Sequence, residues 1–154
     1  MDLTTFLVKY GVRTTSNFQL NDIFTDLNIN GKVLMRDELR MLPILKTTKK
    51  QSIIMNLQTT KDDGSHWVAL FRCKWLQYYF DPYGVLPTME VYNYFGSSLT
   101  YNMIQIQQYG MECCGQLSMY FLYQMNRLPT RTEEKAVEII LSMKKELEYL
   151  QSLA

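Results

Sequence analysis

Residues 113–124 limit the possible folds more than any other segment of the chain. If this segment is a helix, apolar side chains surround it nearly completely: Leu117, Met119, Tyr120, Phe121, Leu122 and Tyr123. A helix that is apolar all round must be surrounded by other elements, because an exposed face would leave large side chains in water. The segment therefore predicts a helix inside the core rather than on its surface.

Other segments predict both strands and helices around this core helix. Residues 66–73 and 75–81 predict two strands joined at Lys74 as an antiparallel hairpin, and residues 52–57 and 101–107 predict further strands. Helices are predicted up to Gly11, over residues 17–28 after the capping Ser16, over residues 89–95, and after a capping box of Thr130 and Glu133. Residues 31–39 are predicted as a loop or short turn, and residues 59–65 as a turn. The 154 residues predict one α+β domain, 1–154.

Charge and cysteine content restrict the setting in which the chain acts. The formal net charge of +1 gives no drive toward nucleic acid or acidic membranes. Three cysteines are an odd number, and Cys113 and Cys114 are adjacent, so we expect a reducing compartment rather than a disulfide framework. The chain has no apolar run of membrane-spanning length and no secretory signal pattern at its start, so we expect a soluble intracellular protein.

His66 and Cys114 are the first candidates for chemistry. His66 is the only histidine, and histidine is the side chain whose ordinary pKa suits proton transfer near neutral pH. Cys114 lies at the start of the predicted buried helix, where the partial positive charge of the helix N-terminus favours the nucleophilic thiolate. Gly115 would allow a substrate backbone or a loop to approach closely. Taken singly, Cys114 is better explained as a buried structural cysteine, and His66 as a surface or capping residue.

Asp81 ends the second strand of the predicted hairpin. Antiparallel pairing places the end of that strand beside the start of the first, so Asp81 and His66 should be neighbours. A carboxylate in this position orients an imidazole and stabilises its charged form. An Asx turn with Pro82 is the alternative interpretation of Asp81.

Gln107 and Gln108 end the last predicted strand, just before the cysteine. A glutamine amide, together with the backbone N–H of Cys114, could stabilise the oxyanion of a tetrahedral intermediate. Either glutamine could instead be an ordinary polar residue at a strand edge. Trp67, beside His66, could flank a substrate groove or pack in the core.

The combined motifs resemble a known family. Ser65-His66-Trp67, the Tyr-Phe-Asp-Pro-Tyr-Gly run at residues 79–84, and Gln107 followed by Cys114-Gly115 resemble the adenovirus-type cysteine proteases (adenain). Closer still are the proteases of Polinton/Maverick elements, adintoviruses and virophages, whereas the ubiquitin-like-protein proteases are more distant. The resemblance covers roughly residues 20–125. It implies a cysteine-protease fold in which helices flank a central mixed, mostly antiparallel sheet and the nucleophile begins a buried helix.

The resemblance also implies a role for each candidate residue. Cys114 would be the nucleophile, His66 the general base and Asp81 its orienting acid. Adenain-type spacing selects Gln107 as the oxyanion donor, and ubiquitin-like-protease spacing selects Gln108. Cys113 would be structural. The expected substrate groove is formed by Gly64, Trp67 and Gly115.

The implied activity is that of a viral or transposon-encoded thiol endopeptidase. Its substrates would be virion or capsid precursor proteins cut near small residues such as Gly, in the host cell nucleus or cytoplasm and in the virion. An isopeptidase that removes ubiquitin or a ubiquitin-like modifier is the alternative enzyme. No cofactor is expected, and an activating peptide or DNA is left open, as is the oligomeric state. A binding module on the same fold is a third hypothesis; zinc is disfavoured because Cys113 and Cys114 lack a chelating spacing.

Overall fold

The computed structural model describes residues 1–43, 50–60 and 66–153. Gly64 and most of the turn predicted over residues 59–65 lie outside these ranges. The described residues form five strands: β1 (Gly31–Met35), β2 (Gln51–Asn56), β3 (Trp67–Cys73), β4 (Leu76–Phe80) and β5 (Thr100–Tyr101). They also form a 3₁₀ helix (Arg36–Met41) and five α-helices: α1 (Leu3–Tyr10), α2 (Asn17–Asp26), α3 (Met89–Phe95), α4 (Cys114–Arg127) and α5 (Glu133–Ser152). Among the described helices, none is long and apolar enough to span a bilayer.

The strands make one mixed sheet in the order β1-β2-β3-β4-β5. Its two central pairings, β2 with β3 and β3 with β4, are antiparallel, and its two outer pairings are parallel. Ala69 lies opposite Phe80, so the start of β3 and the end of β4 meet at one end of the sheet. The hairpin predicted over residues 66–81 is therefore confirmed, and it brings His66 and Asp81 to the same sheet end.

Helix α4 packs against one face of the sheet and is surrounded there by α1, α2 and α5. Its Phe121 ring stacks on Phe80, with 4.8 Å between centroids and 14° between planes. The other face of the sheet packs against α3 and the 3₁₀ helix through Leu39, Val68 and Val91. The structure is thus an α+β fold with a helix-flanked mixed sheet, and the prediction of a core helix after residue 113 is confirmed.

Local capping signals predicted several helix ends correctly. Ser16 caps α2 through a capping box with Gln19, as its sequence position indicates. Helix α1 ends at Gly11, whose φ of +91° belongs to a region that favours glycine. The prediction for the last helix was wrong by two residues, because Thr132 and not Thr130 accepts the cap hydrogen bond, from the N–H of Lys135.

Two predictions for non-helical segments were wrong. Residues 31–35 are not a loop but strand β1, because they pair in parallel with β2. Residues 101–107 are not one strand, since β5 ends at Tyr101. Beyond it, Ile106 and Gln107 donate their N–H groups to the carbonyl oxygen of Pro82, each at 2.9 Å, instead of continuing the ladder.

Candidate active site

His66 and Asp81 are in direct contact at the end of the β3–β4 hairpin. His66 Nε2 lies 2.7 Å from Asp81 Oδ1, and the side chains are 15% and 1% exposed. The backbone N–H of Tyr83 donates to the same carboxylate oxygen at 2.8 Å. The neighbour relation predicted from the hairpin is confirmed, and the carboxylate accepts hydrogen bonds both from the turn after β4 and from the imidazole.

Asn102 holds the backbone of Asp81 in place, which the sequence did not reveal. Its Oδ1 accepts from the N–H of Asp81 at 2.9 Å, and its Nδ2 donates to the carbonyl of Asp81 at 2.7 Å. Nδ2 also donates to the carbonyl of Ile104 at 3.0 Å. A single buried amide therefore replaces the strand pairing that would otherwise satisfy these groups. An asparagine just after a short strand was the only available sequence signal.

Cys114 is the first residue of α4, and Cys113 is its N-cap. The Trp67 backbone N–H points at the Cys114 Sγ at 3.4 Å, so the residue that follows His66 also contacts the thiol. The Cys114 side chain is near enough to the His66 ring to raise the pKa of the imidazole. The fold thus brings His66, Asp81 and Cys114, which are far apart in sequence, into one group.

The charges in this group favour a protonated imidazole. Burial opposes protonation, but hydrogen bonds to Asp81 and Cys114 and their negative charges outweigh it and raise the pKa of His66 to about 9. For Cys113, burial raises the pKa to about 11, with a smaller contribution from the charge of Cys114. The Cys113 thiol therefore stays neutral at physiological pH, whereas Cys114 faces a cationic partner.

Gln107 and Gln108 lie in different environments. Gln107 is 1% exposed, and its Nε2 donates to the carbonyl of Met111 at 2.7 Å, within the loop that leads to Cys114. Its Oε1 is buried and has no hydrogen-bond partner among the described residues. Gln108 is exposed. Only Gln107 is thus held inside the loop before the cysteine; its role as an oxyanion donor remains a prediction.

Two of the residues expected at the substrate groove, Trp67 and Gly115, are buried. Trp67 is only 6% exposed, and its indole N–H donates to the carbonyl of Thr15 at 3.1 Å, so its ring packs below the surface. Gly115 is also buried, and a Cβ there would come within 2.2 Å of Thr15 Oγ1. The close approach permitted by Gly115 is therefore made by the chain's own loop, and a place for Trp67 or Gly115 in a substrate groove stays a prediction. Gly64 lies outside the described residues.

Tyr83 is a further site residue that sequence reasoning did not assign. Its ring stacks on His66, with 4.6 Å between centroids and 21° between planes. Tyr109, from the loop before the cysteine, stacks on Tyr83 at 5.3 Å and 26°. Tyr83 belongs to the run at residues 79–84 that carries the motif resemblance, but nothing in the sequence indicated its contact with the histidine.

Comparisons with known proteins show only limited similarity to this chain. No protein-family model matches the chain, and no curated protein matches it. Among solved structures, it is similar to the ASFV pS273R protease, with a TM-score of 0.42 and 20% sequence identity over 62% of this chain and 43% of that one. The chain therefore spans less than half the length of that protein.

In residues 1–43, 50–60 and 66–153, no cluster of three or more His, Cys, Asp or Glu side chains is arranged to hold a metal ion.

Proposed function

We propose that this chain is a cysteine peptidase in which Cys114 is the nucleophile, His66 the general base and Asp81 the residue that orients it. One observation carries the proposal: a single imidazole is hydrogen-bonded to a buried carboxylate and lies near a thiol at the N-terminus of a buried helix. This is the arrangement that an activated thiol requires, because the base is oriented by a third group.

The contacts indicate how the proton would move. Nε2 of His66 is engaged by Asp81, which leaves Nδ1 for the thiol. Proton transfer from Cys114 to Nδ1 gives a thiolate–imidazolium pair, and the thiolate attacks the scissile carbonyl carbon. The imidazolium then protonates the leaving amine, and the neutral imidazole activates water to hydrolyse the thioester. Asp81 keeps the ring oriented throughout.

We assign the oxyanion contact to Gln107 and the backbone N–H of Cys114. The glutamine NH₂ group has two hydrogens. One is donated to the Met111 carbonyl at 2.7 Å, and the other makes only a weak contact of 3.5 Å with the Tyr83 hydroxyl, which an oxyanion can replace. The backbone N–H groups of the first turn of α4 have no partner within the helix, so the N–H of Cys114 can contribute the second donor. We expect Gln107→Ala to lower kcat by about 10²- to 10³-fold. The exposed neighbour gives a matched control, and Gln108→Ala should cleave at nearly the wild-type rate.

We further propose, from the motif resemblance, that the substrates are precursor polypeptides of viral particles cut next to small residues such as Gly, in a reducing intracellular setting. Cleavage of a peptide library by the purified protein tests the activity and the sequence preference together. Strong reaction with a probe that carries a ubiquitin-like C-terminus would instead support an isopeptidase.

Cysteine variants test the assignment of the nucleophile. Cys114→Ala should abolish cleavage and leave the fold intact, whereas Cys73→Ala, which removes a thiol at the other end of β3, should remain active. A thiol alkylator should react chiefly with Cys114, and much more slowly with Cys114 in His66→Ala. Equal labelling of Cys73, Cys113 and Cys114 would contradict the proposed thiolate.

A further inference from the structure

We propose that Tyr83 is a positioning residue that holds the imidazole of His66, the carboxylate of Asp81 and the amide of Gln107 in one arrangement. The inference rests on the proposed peptidase function, since it assigns Tyr83 a part in the same site. Three separate contacts of Tyr83 carry it: one from its ring, one from its backbone and one from its hydroxyl group.

The ring contact acts on His66. With 4.6 Å between centroids and 21° between planes, the Tyr83 ring covers one face of the imidazole. The face of an aromatic ring carries partial negative charge and attracts a cation placed over it. Stacking therefore restricts rotation of the His66 ring and also favours its protonated form, which the thiolate pair requires.

The backbone contact acts on Asp81. The N–H of Tyr83 donates at 2.8 Å to Oδ1, the same oxygen that contacts His66 Nε2. Gly84 completes the turn, donating its N–H to the carbonyl of Asp81 at 2.8 Å. Its φ is +70°, and a Cβ there would lie 2.9 Å from the backbone of Ile104. The chain on both sides of Tyr83 is thereby fixed in direction.

The hydroxyl contact reaches the loop before the nucleophile. The Nε2 of Gln107 lies 3.5 Å from the Tyr83 hydroxyl oxygen, a weak donor contact in addition to the bond with Met111. Burial and the nearby charges of Cys114 and Asp81 raise the pKa of Tyr83, so the phenol remains neutral at physiological pH. Tyr109 stacks on the same ring and supports it from that loop.

Two kinds of replacement separate the contributions of the ring and the hydroxyl group. Tyr83→Phe keeps the ring, and Tyr83→Leu and Tyr83→Met both remove it. Tyr149→Leu, at a position 64% exposed on α5, is the matched control for loss of a tyrosine. Because His66 is the only histidine, its Cε1 proton gives one imidazole signal whose pH titration can be followed by NMR in every variant.

We expect Tyr83→Phe and Tyr149→Leu to titrate like the wild type. In Tyr83→Leu and Tyr83→Met, the His66 midpoint should fall by about one pH unit, because the imidazolium loses the ring face. In the same two variants kcat should fall about tenfold with KM within about twofold, since orientation and not substrate binding is affected. Two non-aromatic variants are included so that the comparison does not depend on either one folding.

Identical titration midpoints in all four variants and the wild type would overturn the role of Tyr83. Equal loss of kcat in Tyr83→Phe and Tyr83→Leu would overturn the part assigned to the ring, because loss of the hydroxyl group would then account for the whole effect. The NMR titration needs no substrate. Absence of cleavage by the wild type would therefore count against the proposed function, and the titration would still decide whether Tyr83 holds the imidazole.

Discussion

Asp81→Asn removes one negative charge from contact with His66 and leaves the shape of the side chain nearly unchanged. In the wild type, burial lowers the pKa of the imidazole, and Asp81 and Cys114 together raise it to about 9. Without the carboxylate charge, the effect of burial is opposed only by Cys114. We therefore expect the His66 titration midpoint to fall from about 9 toward its ordinary value of 6.5.

The expected change in the pKa of His66 follows from how deeply the His66–Asp81 pair is buried. The His66 and Asp81 side chains are 15% and 1% exposed, with 2.7 Å between Nε2 and Oδ1, so solvent screens the pair weakly. An opposite charge at such a distance typically moves a pKa by about one to three units. We expect a decrease of about two pH units, which corresponds to about 3 kcal/mol of interaction between imidazolium and carboxylate.

The measurement is the NMR titration of the single histidine in the wild type and in Asp81→Asn. Asp26→Asn is the matched control, since Asp26 pairs with Lys9 on the surface and does not contact the site. The control should leave the His66 midpoint unchanged. A midpoint in Asp81→Asn equal to that of the wild type would refute the electrostatic account of this site.

The same pair predicts how stability depends on pH. Because the pKa of His66 is raised on folding, its contribution is fully present below pH 6.5 and is lost as pH rises through about 9. The unfolding free energy of the wild type should therefore fall more between pH 6.5 and about 9.5 than that of Asp81→Asn, by about 3 kcal/mol. Urea denaturation at several pH values measures this; parallel curves for the two proteins would contradict it.

Three further substitutions test the packing around the site by thermal or urea denaturation. Gly115→Ala places a Cβ 2.2 Å from Thr15 Oγ1 and should cost about 1–3 kcal/mol, part of which Thr15→Ala restores; unchanged stability would contradict the close contact. Asn102→Ala leaves the backbone N–H and carbonyl of Asp81 without their partner and should cost about 1–3 kcal/mol, whereas a cost near zero would show that water replaces the amide. Phe121→Ala, in the centre of the core, should cost about 3–5 kcal/mol, and a loss below 1 kcal/mol would refute its central position.

Sequence reasoning succeeded where the determining interactions are local. The Ser16 cap, the helix at residues 89–95 and the β3–β4 hairpin each depend on a few neighbouring residues, whose patterns are visible in the chain. The contact between His66 and Asp81 followed from the hairpin alone, because antiparallel pairing relates the two strand ends. The burial of α4 was predicted from its apolar residues, because a helix on the surface would leave some of them exposed to water.

Sequence reasoning failed where a segment distant along the chain decides the local conformation. Residues 31–35 form a strand because they pair in parallel with β2. The residues after Tyr101 leave the sheet because the N–H groups of Ile106 and Gln107 donate to the carbonyl of Pro82. The shift of the α5 cap from Thr130 to Thr132 is a local error of the kind common at helix ends.

The sequence by itself determined the candidate residues. A single histidine, a hairpin ending in Asp81 and two adjacent cysteines at the start of a core helix left few alternatives, and the motif resemblance selected Cys114 over Cys113. Tertiary structure alone decided which glutamine is buried, that Trp67 and Gly115 pack inward, and that Asn102 and Tyr83 contact the site. The physical reason is the separation along the chain over which each kind of interaction acts. Turn, cap and strand-pair geometry act over a few residues, whereas burial and ring stacking depend on where separate segments meet once α4 has packed on the sheet.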